Sequence, residues 1–153
     1  MDDRALVERQ LGRRPRAFVS VVRRCPFGRP AVTEQAPRDE DGRPFPTTYW
    51  LTCPHLVAAV SRLEAAGGVE RWSEAVRADG DLARSLASAT TEQRRLRPTG
   101  EDGGIGGSTR TGSLKCLHAH AAFALARPAY ELGDRILADA GELWPRDACC
   151  TAL

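Results

Sequence analysis

The stretch YWLTCPHLVAAVSRL, residues 49–63, sets the fold class because its pattern changes in the middle. Residues 49–52 are aromatic, aliphatic and β-branched, which predicts a strand. Pro54 suits the first turn of a helix, and apolar residues from Leu56 to Leu63 follow at helical spacing. Gly67-Gly68 then predicts the end of that helix. A strand that leads directly into a helix indicates a fold that contains both strands and helices.

Outward from this stretch, helical patterns outnumber strands. Towards the N-terminus, residues 17–22 predict a second strand and residues 2–11 a first helix, with Asp2 or Asp3 near its N-cap. Towards the C-terminus, helices are predicted near 69–78, 81–96, 114–127 and 130–143. We therefore predict a mostly helical α+β fold with five or six helices and a small sheet of two strands or slightly more.

Proline and glycine mark two loops and a tail. Residues 24–47 are rich in both and predict a long loop without regular structure. Residues 98–113 form a glycine-rich loop, and residues 145–153 predict a flexible tail. The length of 153 residues is that of one ordinary domain, so residues 1–153 are predicted to fold as one unit.

Composition narrows the class of protein. Hydrophobic residues make up 42% of the chain and charged residues 27%, which is typical of a soluble globular protein. No apolar run approaches the roughly 20 residues that cross a bilayer. The N-terminus lacks the basic and then apolar layout of a secretory signal. We expect a cytoplasmic protein without a membrane partner.

Charge is unevenly placed along the chain. Net charge is +2, yet residues 1–30 carry eight Arg against three acidic residues. This basic region suits an anionic partner, although a solvated face is the simpler interpretation, and nucleic acid is not predicted because aromatic residues are few. Every basic residue is Arg except Lys115, which stands beside Cys116. That exception favours a functional role for Lys115.

The densest chemistry lies in SLKCLHAH, residues 113–120. If this segment is helical, Cys116 and His120 lie one turn apart on one face and His118 points elsewhere. One helix can offer two ligands to a metal ion at this spacing. The alternative is that Cys116 packs in the core and His120 hydrogen-bonds a carbonyl.

Two further cysteines each end a predicted strand and precede a proline, Cys25 and Cys53. Cys53 also occupies the N-cap of the next helix, where a thiolate is favoured. If the two strands are parallel neighbours, both thiols leave the same end of the sheet. The predicted metal ligands are Cys25, Cys53, Cys116 and His120, a set that suits zinc or an iron–sulfur cluster. His55 could replace His120, and Cys149 and Cys150 lie in the predicted tail.

An anion site is predicted beside the thiols. Glycine-rich residues 103–108 precede the helix that carries Lys115, and glycines let backbone N–H groups approach an anion. The loop lacks the Gly-Lys-Ser/Thr ending of a nucleotide-binding loop, so a flexible connector is the alternative. The candidate anion-binding residues are Arg29, Arg43, Gly104, Gly106, Gly107, Lys115 and His118.

Four motifs together resemble the bacterial domain-of-unknown-function family 501: CPFGRP (25–30), GRPFPTTYWLTCP (42–54), GIGG (104–107) and KCLHAH (115–120). The resemblance spans nearly the whole chain. It implies no activity, because the family is uncharacterised. Genes of this family are often found near those for enolase, a septum-formation initiator and an exopolyphosphatase, which associates it with cell division or phosphate metabolism. Its members often carry cysteines near the C-terminus.

Three functions are open at this point. The first, which we predict, is a metal-binding protein that uses the Cys/His set. The second is a thiol-dependent or hydrolytic enzyme that acts on a phosphate-bearing small molecule, with Cys53 or Cys116 as nucleophile and a histidine such as His118 as base. The third is an adaptor whose basic N-terminal region binds a cell-division protein.

Overall fold

A computed structural model of the chain describes residues 2–97, 103–107 and 114–149. Within these residues it has six α-helices and one three-stranded sheet, which confirms the predicted mostly helical α+β class. The elements are α1 Asp3–Leu11, β1 Phe18–Arg24, β2 Pro30–Gln35, β3 Tyr49–Leu51, α2 Pro54–Ala65, α3 Gly68–Ala78, α4 Gly80–Leu96, a 3₁₀ turn Ile105–Gly107, α5 His118–Ala126 and α6 Glu131–Asp139. No helix among the described residues is both long and apolar enough to span a membrane.

The sheet has the order β1-β2-β3, and both pairs of neighbours are antiparallel. Its central strand β2 lies inside residues 24–47, so the prediction of a loop throughout that segment was wrong. Pro30 is the first residue of the strand, where its missing N–H is tolerated. Val32 and Thr33 then supply β-branched side chains, and both are fully buried.

The remainder of the proline-rich segment is irregular and is held by one arginine. Arg97, just after α4, donates hydrogen bonds to the backbone carbonyls of Gln35, Ala36 and Thr47 at 2.8, 3.2 and 3.2 Å. It also donates to the carbonyl of Phe45. Because carbonyls in a loop lack the partners that a sheet provides, this guanidinium satisfies several of them at once.

Helix α5 lies at the centre of the core. Six of its nine residues are buried, and most of these are alanines, which allow neighbouring elements to approach closely. Phe123 packs edge-on against Tyr49 of β3 and against Tyr130, with ring centroids 5.5 and 5.6 Å apart. A Cβ added at Gly133 of α6 would lie 2.6 Å from the Cβ of Ala124. Helix α5 thus packs against both the sheet and α6.

The predicted helix 114–127 starts later than the sequence pattern indicated. Lys115 has a φ of 63°, which is left-handed, and the N–H of Cys116 donates to the carbonyl of Leu114 at 2.7 Å. This tight turn delays the helix to His118. Cys116 therefore precedes the helix, and the predicted one-turn spacing of Cys116 and His120 on a helix face was wrong.

Candidate functional site

His118 lies between two side chains of α2. Its Nδ1 is 3.1 Å from Oε1 of Glu64, and its Nε2 is 3.2 Å from Oγ of Ser61. Ser61 and Glu64 are three residues apart on α2, which places them on one side of that helix. His118 is the first residue of α5, so the site forms where the start of α5 meets the C-terminal half of α2.

The carboxylate of Glu64 holds more than the histidine. Its Oε2 accepts a hydrogen bond from the backbone N–H of Leu117 at 2.7 Å. Leu117 is the N-cap of α5, and its own side chain makes no capping hydrogen bond. A carboxylate at this position is stabilised by the partial positive charge of the helix N-terminus. The backbone N–H of Leu117 thus holds the Glu64 carboxylate in the position from which it bonds His118.

The hydrogen bonds determine which ring nitrogen of His118 carries the proton. A carboxylate accepts only, so Nδ1 donates to Glu64. Nε2 is then the acceptor for the Ser61 hydroxyl. A hydroxyl, an imidazole and an orienting carboxylate in this order form the arrangement that activates a serine nucleophile. The His118 and Glu64 side chains are 29% and 26% exposed, and Ser61 is exposed, so a substrate has access to the site.

Cys116 lies beside this group and remains a neutral thiol. Burial raises its pKa, as does the charge of Glu64, while the N–H groups of Ala119 and His118 and the charge of Lys115 act in the opposite direction. The net shift is upward. Because the thiolate is the nucleophilic form, this environment disfavours Cys116 as a nucleophile at neutral pH.

The glycine-rich loop packs on the same corner through Gly106. This residue has a φ of 73°, and a Cβ added there would lie 3.1 Å from the Cβ of Ala119 and 3.7 Å from Sγ of Cys116. Of the predicted anion-binding residues, the structure thus places Gly106, Lys115 and His118 at one corner, with Gly107 in the same 3₁₀ turn and Gly104 just before it.

The two predicted arginines lie on other loops. Arg29 belongs to the turn between β1 and β2, where its carbonyl accepts from the N–H of Cys25 at 2.9 Å. Arg43 belongs to a turn in the proline-rich segment, where its N–H donates to Oδ1 of Asp39 at 3.0 Å. No described contact joins either residue to Lys115 or His118.

Cys25 and Cys53 are buried at one end of the sheet. They follow β1 and β3, which run parallel to each other, but β2 lies between them, so the two strands are not neighbours as the sequence analysis supposed. The distance between β1 and β3 is therefore about 10 Å, twice the usual spacing of neighbouring strands. Cys53 is the N-cap of α2, as predicted, yet its side chain makes no capping hydrogen bond.

Cys53 and Cys116 belong to opposite ends of α2. Cys53 precedes Glu64 by eleven residues, which corresponds to about 16 Å along the helix axis. Cys116 lies at the Glu64 end. In residues 2–97, 103–107 and 114–149, no group of three or more His, Cys, Asp or Glu residues is placed to hold a metal ion. The structure does not bring the four predicted ligands together, and the metal site stays a prediction.

His120 is a buried residue of the core, only 1% exposed. Its Nε2 is 3.0 Å from the carbonyl of Leu114 and its Nδ1 is 2.7 Å from the hydroxyl of Tyr130. Since a carbonyl only accepts, Nε2 carries the proton and Nδ1 accepts from Tyr130. Burial lowers the pKa of His120 to about 4, so the ring is neutral at pH 7. The alternative prediction, a histidine bonded to a carbonyl, is the arrangement observed.

The other predicted residues lie apart from this corner. Nε2 of His55 is 3.1 Å from the carbonyl of Glu142. Cys149 is half-buried, and Cys150 lies outside the described residues. Ser61 and Glu64 were not predicted from the sequence. Their three-residue spacing on the polar side of α2 was visible, but the sequence does not indicate that this side faces His118.

Comparison with known proteins identifies a family and no relative of known activity. The family model described as a protein of unknown function (DUF501) matches residues 21–100, which is more than half of the chain. The chain therefore belongs to this family. No curated protein and no solved structure matches it.

Proposed function

We propose that this member of the DUF501 family is a hydrolytic enzyme in which Ser61 is the nucleophile, His118 the general base and Glu64 the group that orients His118. One observation carries the proposal: both ring nitrogens of His118 are hydrogen-bonded, one to a carboxylate and one to a hydroxyl on an accessible surface. Serine hydrolases of unrelated folds share this arrangement of roles.

The proposed reaction is the hydrolysis of an ester. Oγ of Ser61 attacks the ester carbonyl while its proton passes to Nε2 of His118, and the imidazolium then donates that proton to the departing alcohol. A water molecule, deprotonated by the same nitrogen, cleaves the acyl-serine and restores the hydroxyl. Glu64 stabilises the imidazolium and keeps the proton on Nδ1.

The substrate that we propose is a small molecule that bears a phosphate group. Lys115 is exposed three residues before His118, and its ammonium group is a suitable partner for a phosphate. The left-handed backbone conformation of Lys115 is unfavourable for any residue other than glycine. Such strained conformations are concentrated at functional sites. Cys116 then has a packing role, between the glycine-rich loop and the start of α5.

A fluorophosphonate probe tests the nucleophile directly, because it forms a covalent bond with an activated serine and releases fluoride. We expect labelling of Ser61 in the full chain, detected by intact mass and peptide mapping. Ser61→Ala and His118→Gln should abolish it. Ser73→Ala is the matched control, since Ser73 is also a helical serine but its hydroxyl donates to the carbonyl of Val69.

The same protein samples also test the proposed substrate class. We expect the protein to hydrolyse p-nitrophenyl acetate, with inhibition by inorganic phosphate that is lost in Lys115→Met. Labelling that persists in Ser61→Ala, or maps to another residue, would contradict the assignment of the nucleophile. Hydrolysis that phosphate does not affect would contradict the proposed substrate class.

A Cys/His metal centre is the second candidate. It is supported by the burial of Cys25 and Cys53 at the same end of the sheet. Cys25, Cys116 and Cys149 are free thiols, which also favours a cytoplasmic location. We expect anaerobically purified protein to contain zinc or iron in stoichiometric amount and Cys53→Ala to lose it. Metal-free protein with the same stability would count against this centre.

A further inference from the structure

The exposed large hydrophobic side chains in the described part of the chain lie together in sequence. Val19, Val22 and Phe27 are 53%, 36% and 38% exposed, and all three belong to β1 or to the turn that follows it. Exposed apolar groups that concentrate in one segment are typical of a contact surface, whereas single ones need no explanation.

The pairing of β1 with β2 skips both valines. Phe18 pairs with Gln35 and Ser20 with Glu34, so no residue of β2 opposes Val19. Val21 pairs with Thr33 and Arg23 with Val32, so none opposes Val22. Such bulges twist a strand and protect a sheet edge from the addition of another strand. A partner would therefore contact the side chains of β1 and not extend the sheet.

The segment that carries these side chains is rich in arginine. Residues 9–29 contain seven arginines and no acidic residue. Four are engaged elsewhere: Arg14, Arg16 and Arg24 pair with Glu40, Asp41 and Asp3, and Arg13 lies 5.1 Å from the ring centre of Trp50. The other three, Arg9, Arg23 and Arg29, form no ion pair with any residue that the structure describes.

We propose that the surface formed by Val19, Val22, Arg23, Phe27 and Arg29, here called the β1 surface, binds an acidic segment of another protein that also carries apolar side chains. Its arginines complement carboxylates, and its valines and phenylalanine complement aliphatic groups. Single-stranded nucleic acid would require a series of aromatic residues for stacking, and Phe27 is the one aromatic side chain of this surface. An anionic membrane would require an apolar face that penetrates several ångströms, and the short valines of a strand do not provide one.

Selection from a displayed library of random 16-residue peptides tests the β1 surface with the full-length protein. We expect enriched peptides to be acidic and to contain large apolar residues. Their affinity, measured by fluorescence anisotropy, should fall about tenfold or more in each of two double variants, Val19→Ser/Val22→Ser and Arg23→Glu/Arg29→Glu, since several contacts are lost together. Two variants of different chemistry guard against an effect of either one on folding.

The control variant is Arg77→Glu/Arg94→Glu, which changes the same charge on exposed positions of α3 and α4. It should leave peptide affinity within about twofold, because surface charges at a distance are screened by salt. Peptides that are not enriched for acidic residues, or that bind the β1 variants as tightly as the wild type, would overturn the proposal. Tighter binding of the β1 surface to single-stranded DNA or to phosphatidylglycerol vesicles would overturn it as well.

Discussion

The first turn of α5 carries two histidines, His118 and His120, on opposite sides and in opposite environments. His118 faces α2 at the surface and is held by Glu64 and Ser61, whereas His120 faces the core and is held by Tyr130 and a backbone carbonyl. In both imidazoles, both ring nitrogens are hydrogen-bonded. The difference is that the partners of His118 include a carboxylate, while His120 is bonded to a hydroxyl and a carbonyl and is buried, and burial lowers its pKa to about 4. The first arrangement suits proton transfer, and the second suits packing.

The largest effect that we expect is a loss of activity on substitution of His118. His118→Ala should lower kcat for p-nitrophenyl acetate about a thousandfold, because the base that accepts the serine proton is gone. Its free energy of unfolding should change by less than about 1 kcal/mol, since the side chain is partly exposed. Steady-state kinetics and urea unfolding on one preparation measure both. His55→Ala, at another partly exposed histidine, should change neither; a kcat close to wild type in His118→Ala would refute the role of this residue.

The converse substitution should affect stability. We expect His120→Ala to lower the free energy of unfolding by about 3 kcal/mol, because it leaves a cavity and two buried polar groups without their partner. Tyr130→Phe removes only one hydroxyl and should cost about 1 kcal/mol. Urea unfolding monitored by circular dichroism provides the comparison. If His120→Ala were as stable as the wild type, the packing role assigned to His120 would be wrong.

A third effect concerns the dependence of stability on pH. The pKa of His120 is lowered from 6.5 to about 4 by folding, so the unfolded chain binds more protons between these values. The stability contributed by the neutral ring is complete above pH 6.5 and is lost as the pH falls towards 4. Between pH 7 and pH 4.5 the wild type should lose about 2 kcal/mol more than His120→Gln. Parallel urea unfolding of the two proteins at these pH values measures the difference, and equal losses would contradict the shift.

Local sequence signals predicted most of the helices. Asp2 caps α1 and accepts from the N–H of Ala5, and Gly12 ends that helix with a φ of 67°. Pro54 opens α2 as expected. These signals act within a few residues, so the sequence carries them in full. The strand β2 was missed because its neighbouring prolines predicted a loop, whereas its stability comes from pairing with strands on both sides.

The candidate site was predictable only in part. His118 stood among the predicted catalytic residues, while Cys53 and Cys116, the predicted nucleophiles, lie at opposite ends of α2. The serine and the carboxylate were not predicted. Helical periodicity places Ser61 and Glu64 on one side of α2, yet it contains no information about which element that side contacts.

The sequence by itself determined the class of fold, the positions of most helices, the family and the bias of arginine towards the N-terminal region. Tertiary structure alone decided which histidine is buried and which one meets a serine 57 residues away in the chain. The physical reason is the range of the interactions. Caps, turns and periodicity depend on neighbours within one or two turns, whereas the environment of a side chain depends on the packing of elements that are distant in sequence.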